Sequence, residues 1–298
     1  MPQYHVVFPT VKGTFAALLS LIEQERKEGG SAPKIIVFGT TANLVALYAE
    51  FYRQASSLRV YELQSRLSQP QRTRTTKEFK EAATGIMFAT DVIGRGMDFP
   101  NVTSVIQVGL PMNGEQYVHR VGRTARVDKD GRAVILLTQA ESFFLTANRK
   151  LPIKPYVHTI DTEDNESAAE AMARIDEKTK QKAYSAYLGF MKGFMNKLRL
   201  SPEGLVAMAN NLAIEAFGCP EPPPMEKKTI GKMGLKGVQG IRYGILSEDE
   251  SPSKRMKPSP EVSRTIYGGS RGESTARGGS TRGKARVPGA RGGQRSFA

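Results

Sequence analysis

The first half of the chain alternates short apolar runs with longer stretches whose apolar residues recur every three to four positions. Unbroken apolar runs suit strands buried on both faces, and the periodic stretches suit helices that cover them. KIIVF at 34–38 is the first predicted strand, and residues 41–52 read as the helix after it. RVYEL at 59–63 is the second strand. SQPQRTRTTKEFKEA then reads as a helix, with Ser68 and Gln71 in capping-box spacing and Pro70 tolerated in the first turn. GIMFA at 85–89, SVIQV at 104–108 and RAVILL at 132–137 are the next three strands. A helix is expected from Asn113, where Asn113 and Gln116 repeat the capping-box spacing, and Asp130-Gly131 turns into the last strand. Repeated βα units of this kind predict an α/β fold, a parallel sheet with helices on both faces.

The pattern changes near Leu151-Pro152. Residues 161–217 read as amphipathic helix, most strongly in IDEKTKQKAYSAYLGFMKGFMNKL. Tyr184, Tyr187, Phe190, Met191, Phe194 and Met195 in that stretch are expected in a core rather than as platforms for stacked bases. CPEPPP at 219–224 interrupts the periodicity, and GKMGLKGVQGIRY at 231–243 is expected to run extended over a surface. From Ser251 onward there are 11 Lys and Arg against 2 Glu and few large apolar residues. Such a segment buries too little surface to offset chain entropy, so 246–298 is expected to be a disordered basic tail.

Charge narrows the partners. The chain carries 43 Lys and Arg against 29 Asp and Glu, a formal net charge of +14. That excess favours a polyanionic partner such as nucleic acid or an anionic membrane surface. No apolar run approaches the roughly 20 residues that span a bilayer, so no membrane role is expected. The single cysteine, Cys219, excludes an internal disulfide framework and suits a reducing compartment. The opening MPQYHVVFPT has neither an apolar signal core nor an Arg-rich presequence. Either the protein is cytosolic or nuclear, or the natural protein begins upstream.

In an open parallel sheet, ligands bind at the carboxyl ends of the strands. Three unusual segments fall there. In ATDVIGRGMDFPNV (89–102), Thr90 and Asp91 leave the strand, Gly94 and Gly96 permit close backbone approach, and Asp98 is suited to accept from a sugar hydroxyl. In YVHRVGRTAR (117–126), a helix would set His119, Arg123 and Arg126 on one face, with Arg120 pointing elsewhere. Cations grouped in this way converge best on phosphate oxygens, which guanidinium binds in a forked geometry. In SQPQR (68–72), Gln69 and Arg72 stand in the first turn of a helix, where free N–H groups also attract phosphate. Each segment has a plainer alternative: an ordinary βα loop, a solvated basic face, and simple helix capping.

Together with IIVFGTT (35–41), these segments stand in the order and spacing of motifs IV, IVa, V and VI of DEAD-box RNA helicases, which the chain resembles. The run T-D-x-x-x-R-G-x-D followed by H-R-x-G-R-x-x-R carries most of that resemblance. It covers residues 1–155 and implies the second of two RecA-like domains. Residues 156–245 would be a helical extension, and together with the tail they look most like fungal mitochondrial helicases that help group I and II introns splice.

The resemblance implies roles by position. Arg123 and Arg126 resemble arginine fingers for the γ-phosphate of ATP, with His119 and Arg120 helping to couple the two domains. Gly96 and Asp98 resemble the nucleotide-facing part of motif V. Gln69, Arg72 and Thr90 resemble contacts to the RNA backbone, and Arg95 an interdomain contact. Leu63-Gln64-Ser65, Gly109 and Ala125 depart from common family residues. Neither G-x-x-x-x-G-K-[ST] nor D-E-A-D occurs in these 298 residues. Mg²⁺ would therefore be held by an N-terminal RecA domain, in cis or in trans, and no metal ligands are expected here. Hydrolysis by this chain alone would be negligible. The alternative is a stand-alone, non-catalytic RNA-binding module. The resemblance implies the mitochondrial matrix; failing that, nucleus or cytoplasm.

Overall fold

The computed structural model describes residues 1–92, 97–124, 131–162 and 166–245. Its centre is a seven-stranded sheet, built from β1 (Gln3–Phe8), β2 (Lys34–Phe38), β3 (Val60–Leu63), β4 (Gly85–Ala89), β5 (Ser104–Val108), β6 (Arg132–Thr138) and β7 (Ile153–Pro155). The order is β3-β4-β2-β5-β6-β1-β7, and every pairing is parallel. Every position of β2, β4 and β5 is buried, which is why those three read as unbroken apolar runs.

The five predicted strands agree with the observed ones to within a residue. β1 and β7 lie outside that set. β1 is half-buried with Gln3, Tyr4 and His5 leading it, and β7 is a three-residue edge strand ending in Pro155, where a missing donor is tolerated. Between β1 and β2 runs α1 (Thr14–Glu28), which buries Phe15, Leu18, Leu21, Ile22 and Glu25 on one face.

Three helices connect the strands on the side that matters for ligands. α2 (Ala42–Ala55) starts at Thr41, whose side chain accepts from Leu44 N–H. α3 (Gln69–Glu81) begins with both halves of the expected Ser68–Gln71 capping box. α4 (Gly114–Val121) is capped by Asn113, whose side chain accepts from Gln116 N–H. Its second half differs from expectation: the Gln116 side-chain Oε1 accepts from Met112 N–H at 2.5 Å, one residue before the cap. α5 (Phe143–Ala147) follows β6.

The remaining segment is helical in pieces: α6 (Glu166–Ala173), α7 (Glu177–Lys192), α8 (Met195–Leu198), α9 (Pro202–Asn211), a π-turn at Leu212–Ala216, and α10 (Lys227–Met233). α7 lies on α2 and against α9, so this segment shares one continuous core with the sheet domain. Tyr184, Tyr187, Met191 and Phe194 are buried in it, with Phe190 and Met195 packed at its margin. All six are core positions, as the helical spacing suggests.

Residues 231–243 are not extended. Gly231 to Met233 finish α10, and the chain then winds back through left-handed turns at Gly234, Gly237 and Gly240. The turns exist because Leu235 and Ile241 are buried against the helices, and that burial outweighs extension over the surface. At Gly240 a Cβ would stand 3.2 Å from Val206 Cγ1, so this turn has no room for a side chain. The basic tail lies outside the described residues.

Candidate functional site

The carboxyl ends of β2, β4 and β5 open into a cleft of about 270 Å³. Phe38, Asp91, Asn113, Gln116, His119, Arg120 and Arg123 line it. Arg120, on the last turn of α4, is only 2% exposed. Its Nε and Nη2 donate to the two carboxylate oxygens of Asp91, both at 2.8 Å, in the forked geometry guanidinium favours. Nη2 also reaches the Gly39 carbonyl at 3.4 Å, and the guanidinium carbon lies 5.4 Å from the centre of the Phe38 ring. Gln116 Nε2 donates to the same Asp91 at 2.9 Å. Asp91 is thus gripped by two residues one helical turn apart on α4, which ties the β4 loop to that helix.

Arg123 departs from the helical geometry. α4 stops at Val121, because the Gly122 N–H closes the last turn on Val118 O at 2.9 Å and the chain then leaves the axis. Thr124 Oγ1 pins the departing chain to Val102 O at 2.6 Å. Arg123 therefore shares no helical face with His119; its Nε donates back to the His119 carbonyl at 3.2 Å and its Nη1 to the Met97 carbonyl at 2.8 Å. His119 is half-exposed, with Nε2 3.6 Å from Glu115. The two side chains still flank one cleft. Beneath them Tyr117 is fully buried against Phe144, and desolvation pushes its phenol well above the ordinary value, so it stays neutral.

A second cleft, of about 390 Å³, holds the other predicted group. Gln69 and Arg72 stand on its α3 wall with Thr73, Thr76, Lys77 and Lys80; Leu63, Val92 and Met97 form the facing side. Thr90 directly follows β4. Its N–H donates to Leu63 O at 3.1 Å, and its hydroxyl is buried without a hydrogen-bond partner. Asp98 is exposed on the segment whose next residue, Phe99, packs edge-on against Phe79 of α3. Gly94, Arg95, Gly96 and Arg126 fall outside the described residues.

Of the predicted site residues, His119, Arg120 and Arg123 line the first cleft and Gln69 and Arg72 the second, while Thr90 and Asp98 line neither. Asp91 lines the first cleft, while Val92 and Met97 line the second. Among the described residues, no group of three or more His, Cys, Asp or Glu is arranged to hold a metal ion. No helix of the described residues is long and apolar enough to cross a membrane.

Comparison with known proteins bears on the family and the fold. Residues 13–128 match the helicase conserved C-terminal domain. Over 269 residues the chain is 57% identical to the mitochondrial ATP-dependent RNA helicase mss116 of Aspergillus oryzae, covering 87% of this chain and 42% of that protein. It is 56% identical over 248 residues to the mitochondrial MSS116 helicase of Phaeosphaeria nodorum, covering 82% and 45% respectively. The fold is that of a solved structure described as Mss116p DEAD-box helicase domain 2 bound to an RNA duplex, with a TM-score of 0.68 and 23% identity, covering 82% of this chain and 99% of that one.

The chain belongs to the DEAD-box RNA helicases. It spans less than half the length of the two curated relatives, 42% and 45%. The DEAD-box sheet is the RecA-like one expected from the alternating pattern. Two residues of the DEAD-box cleft had no site role in the sequence reading. Gln116 was visible only as a capping partner, although its spacing of four from Arg120 places both on the face that meets Asp91. Phe38 was visible only as a strand residue. The departure at Gly109 also has a local reason: its φ is +77°, and a Cβ there would stand 3.2 Å from Thr40 Cγ2.

Proposed function

We propose that this chain forms the arginine-bearing wall of a two-domain, ATP-dependent RNA helicase or RNA chaperone, and that the same domain grips the RNA backbone. The carrying observation is that Asp91 lines one cleft while its neighbour Val92, with Met97, lines the other. One cleft holds His119 and Arg123; the other holds Gln69 and Arg72. The Asp91 charge is matched by Arg120, and Arg123 brings a second guanidinium to a cleft that Glu115 also lines beside His119; that guanidinium suits the phosphates of ATP. Arg123, with Arg126, directs guanidinium groups at the γ-phosphate once it leaves the Met97 carbonyl. An arginine supplied across such a cleft is worth about 10³–10⁵ in rate. Arg120 acts here as a positioning residue that holds α4 to Asp91, and His119 faces the partner domain.

Gly96 and Asp98 address the ribose, and Arg95 the interdomain contact. Mg²⁺ and the catalytic base belong to the N-terminal RecA domain, in cis or in trans. Gln69, Arg72 and Thr90 contact RNA phosphates without choosing sequence. Residues 1–155 form the RecA-like domain and 156–245 the helical extension, followed by the basic stretch 246–298. The two fungal relatives are named as mitochondrial, which supports the matrix as the compartment. The test is RNA-stimulated ATP hydrolysis with the N-terminal RecA domain of a DEAD-box relative supplied in trans. Hydrolysis should appear on mixing and vanish with Arg123→Ala. RNA binding with no hydrolysis in any mixture would instead favour a stand-alone RNA-binding module.

A further inference from the structure

The second cleft is longer than Gln69 and Arg72 require. Along α3, residues 69, 72, 73, 76 and 80 recur at helical spacing, so one polar face lines the cleft from the first turn to the last. From Arg72 to Lys80 that face extends about 12 Å. The opposite wall is apolar: Leu63, Val92 and Met97.

Two polar atoms on this face have no protein partner. Arg72 Nε and the Thr76 hydroxyl are buried from solvent yet make no hydrogen bond. The contrast with neighbours is informative. Thr73 bonds its own helix through Gln69 O at 3.0 Å, and Glu78 engages both Arg74 and Arg59, at 2.8 and 2.9 Å. Those pairs lie on the outer face of α3. No carboxylate pairs with Arg72 or Lys80 among the described residues. A buried donor and hydroxyl left unmatched cost stability unless a ligand completes them.

We infer that the RNA strand does not end at Arg72 but continues along α3, with Thr76 and Lys80 forming a further backbone subsite. This rests on the reading of Gln69 and Arg72 as RNA contacts. Phosphates lie on the α3 side, where cations and hydroxyls face them; ribose and base edges lie on Leu63, Val92 and Met97. No aromatic ring lines the cleft, so the subsite adds affinity without stacking and without sequence choice. Glu81 at the far end repels phosphate, and the strand leaves the cleft there.

The test uses the full chain with fluorescent oligouridylates of roughly four and roughly twelve nucleotides. Each Lys–phosphate contact contributes about 0.7 to the slope of log affinity against log salt on single strands. Lys80→Gln should lower that slope by about 0.7 on the long strand, roughly a fivefold loss at 0.1 M salt, and leave the short strand unchanged. Thr76→Val should weaken only the long strand while leaving thermal stability equal or higher, because it removes an unmatched hydroxyl. Arg72→Ala should weaken both lengths. If Arg72→Ala acts and Lys80→Gln does not, the extended subsite is wrong and the RNA reading stands. If Arg72→Ala has no effect on either strand, the RNA reading itself is wrong. If Lys80→Gln weakens polyglutamate and both RNA lengths alike, Lys80 provides unspecific charge only and the inference is overturned.

Discussion

Arg120 and Asp91 are joined by two parallel hydrogen bonds of 2.8 Å, one partner almost fully buried and the other at the mouth of a cleft. The pair is asymmetric, and so are its deletions. Asp91→Ala leaves a buried guanidinium facing only Gly39 O and a ring, and should cost about 2–4 kcal/mol, discounted because Asp91 itself is partly solvated. Arg120→Lys keeps the charge but loses the fork, so it should recover less than half of an Arg120→Ala loss. Urea midpoints of the three variants measure both numbers.

Gln116 shares the load at Asp91. Gln116→Ala removes its bonds to Asp91 and to Met112 N–H, both partly solvated, and should cost about 1–2 kcal/mol. The Asp91–Arg120 pair survives that change. In the mixed ATPase assay, Gln116→Ala should therefore reduce turnover modestly, whereas Arg123→Ala abolishes it. Equal losses from the two would remove the distinction drawn here between positioning and finger residues.

Glu141 gives a pH signature. It is buried, and desolvation raises its carboxyl above the ordinary 4.5, outweighing the Thr138 N–H and hydroxyl that donate to it. Tyr48 and Tyr187, buried and neutral, face it from α2 and α7. A raised acid favours the folded state while protonated. Its contribution is therefore fully present below pH 4.5 and is lost as pH climbs to the raised folded value. The difference in urea midpoint between wild type and Glu141→Gln should follow that sign over the window and flatten above it.

Cys219 should be chemically silent. It is 3% exposed, and burial, together with the neighbouring Glu177, pushes its thiol up to about 12. Iodoacetamide at neutral pH should label it only at the rate at which the fold opens. Prompt labelling of native protein would show that the π-turn region is open in solution.

Truncation after residue 155 tests how the helical segment contributes. Tyr184, Met191 and Phe194 are buried in the core shared with α2, each worth about 1.5–3 kcal/mol on burial. The shortened chain should expose that face of α2 and bind a hydrophobic dye, whereas a separable extension would leave a dye-free, cooperatively folding domain.

The central strands were legible because both of their faces are buried, which writes an unbroken apolar run into the sequence. β1 and β7 were not, since an edge strand and its half-buried neighbour have no such run. The caps at Ser68 and Asn113 were legible because they are local, whereas Thr41, read as the first helical residue, is itself the cap of α2. The Asp91–Arg120–Gln116 grip spans some 25 to 29 positions, and no periodicity reports a pairing across that distance. Arg123 was misplaced on a helix although Gly122 supplied the stop signal. The winding of 231–243 escaped because burial of Leu235 and Ile241, rather than glycine content, dictates it.

Asp91 and Val92 are neighbours in the chain yet face different clefts. Anything that rotates their common peptide unit moves a wall of one cleft and a wall of the other together. One amide plane joins the two walls, so Val92→Gly would both strip a side chain from the second cleft and loosen its tie to the first.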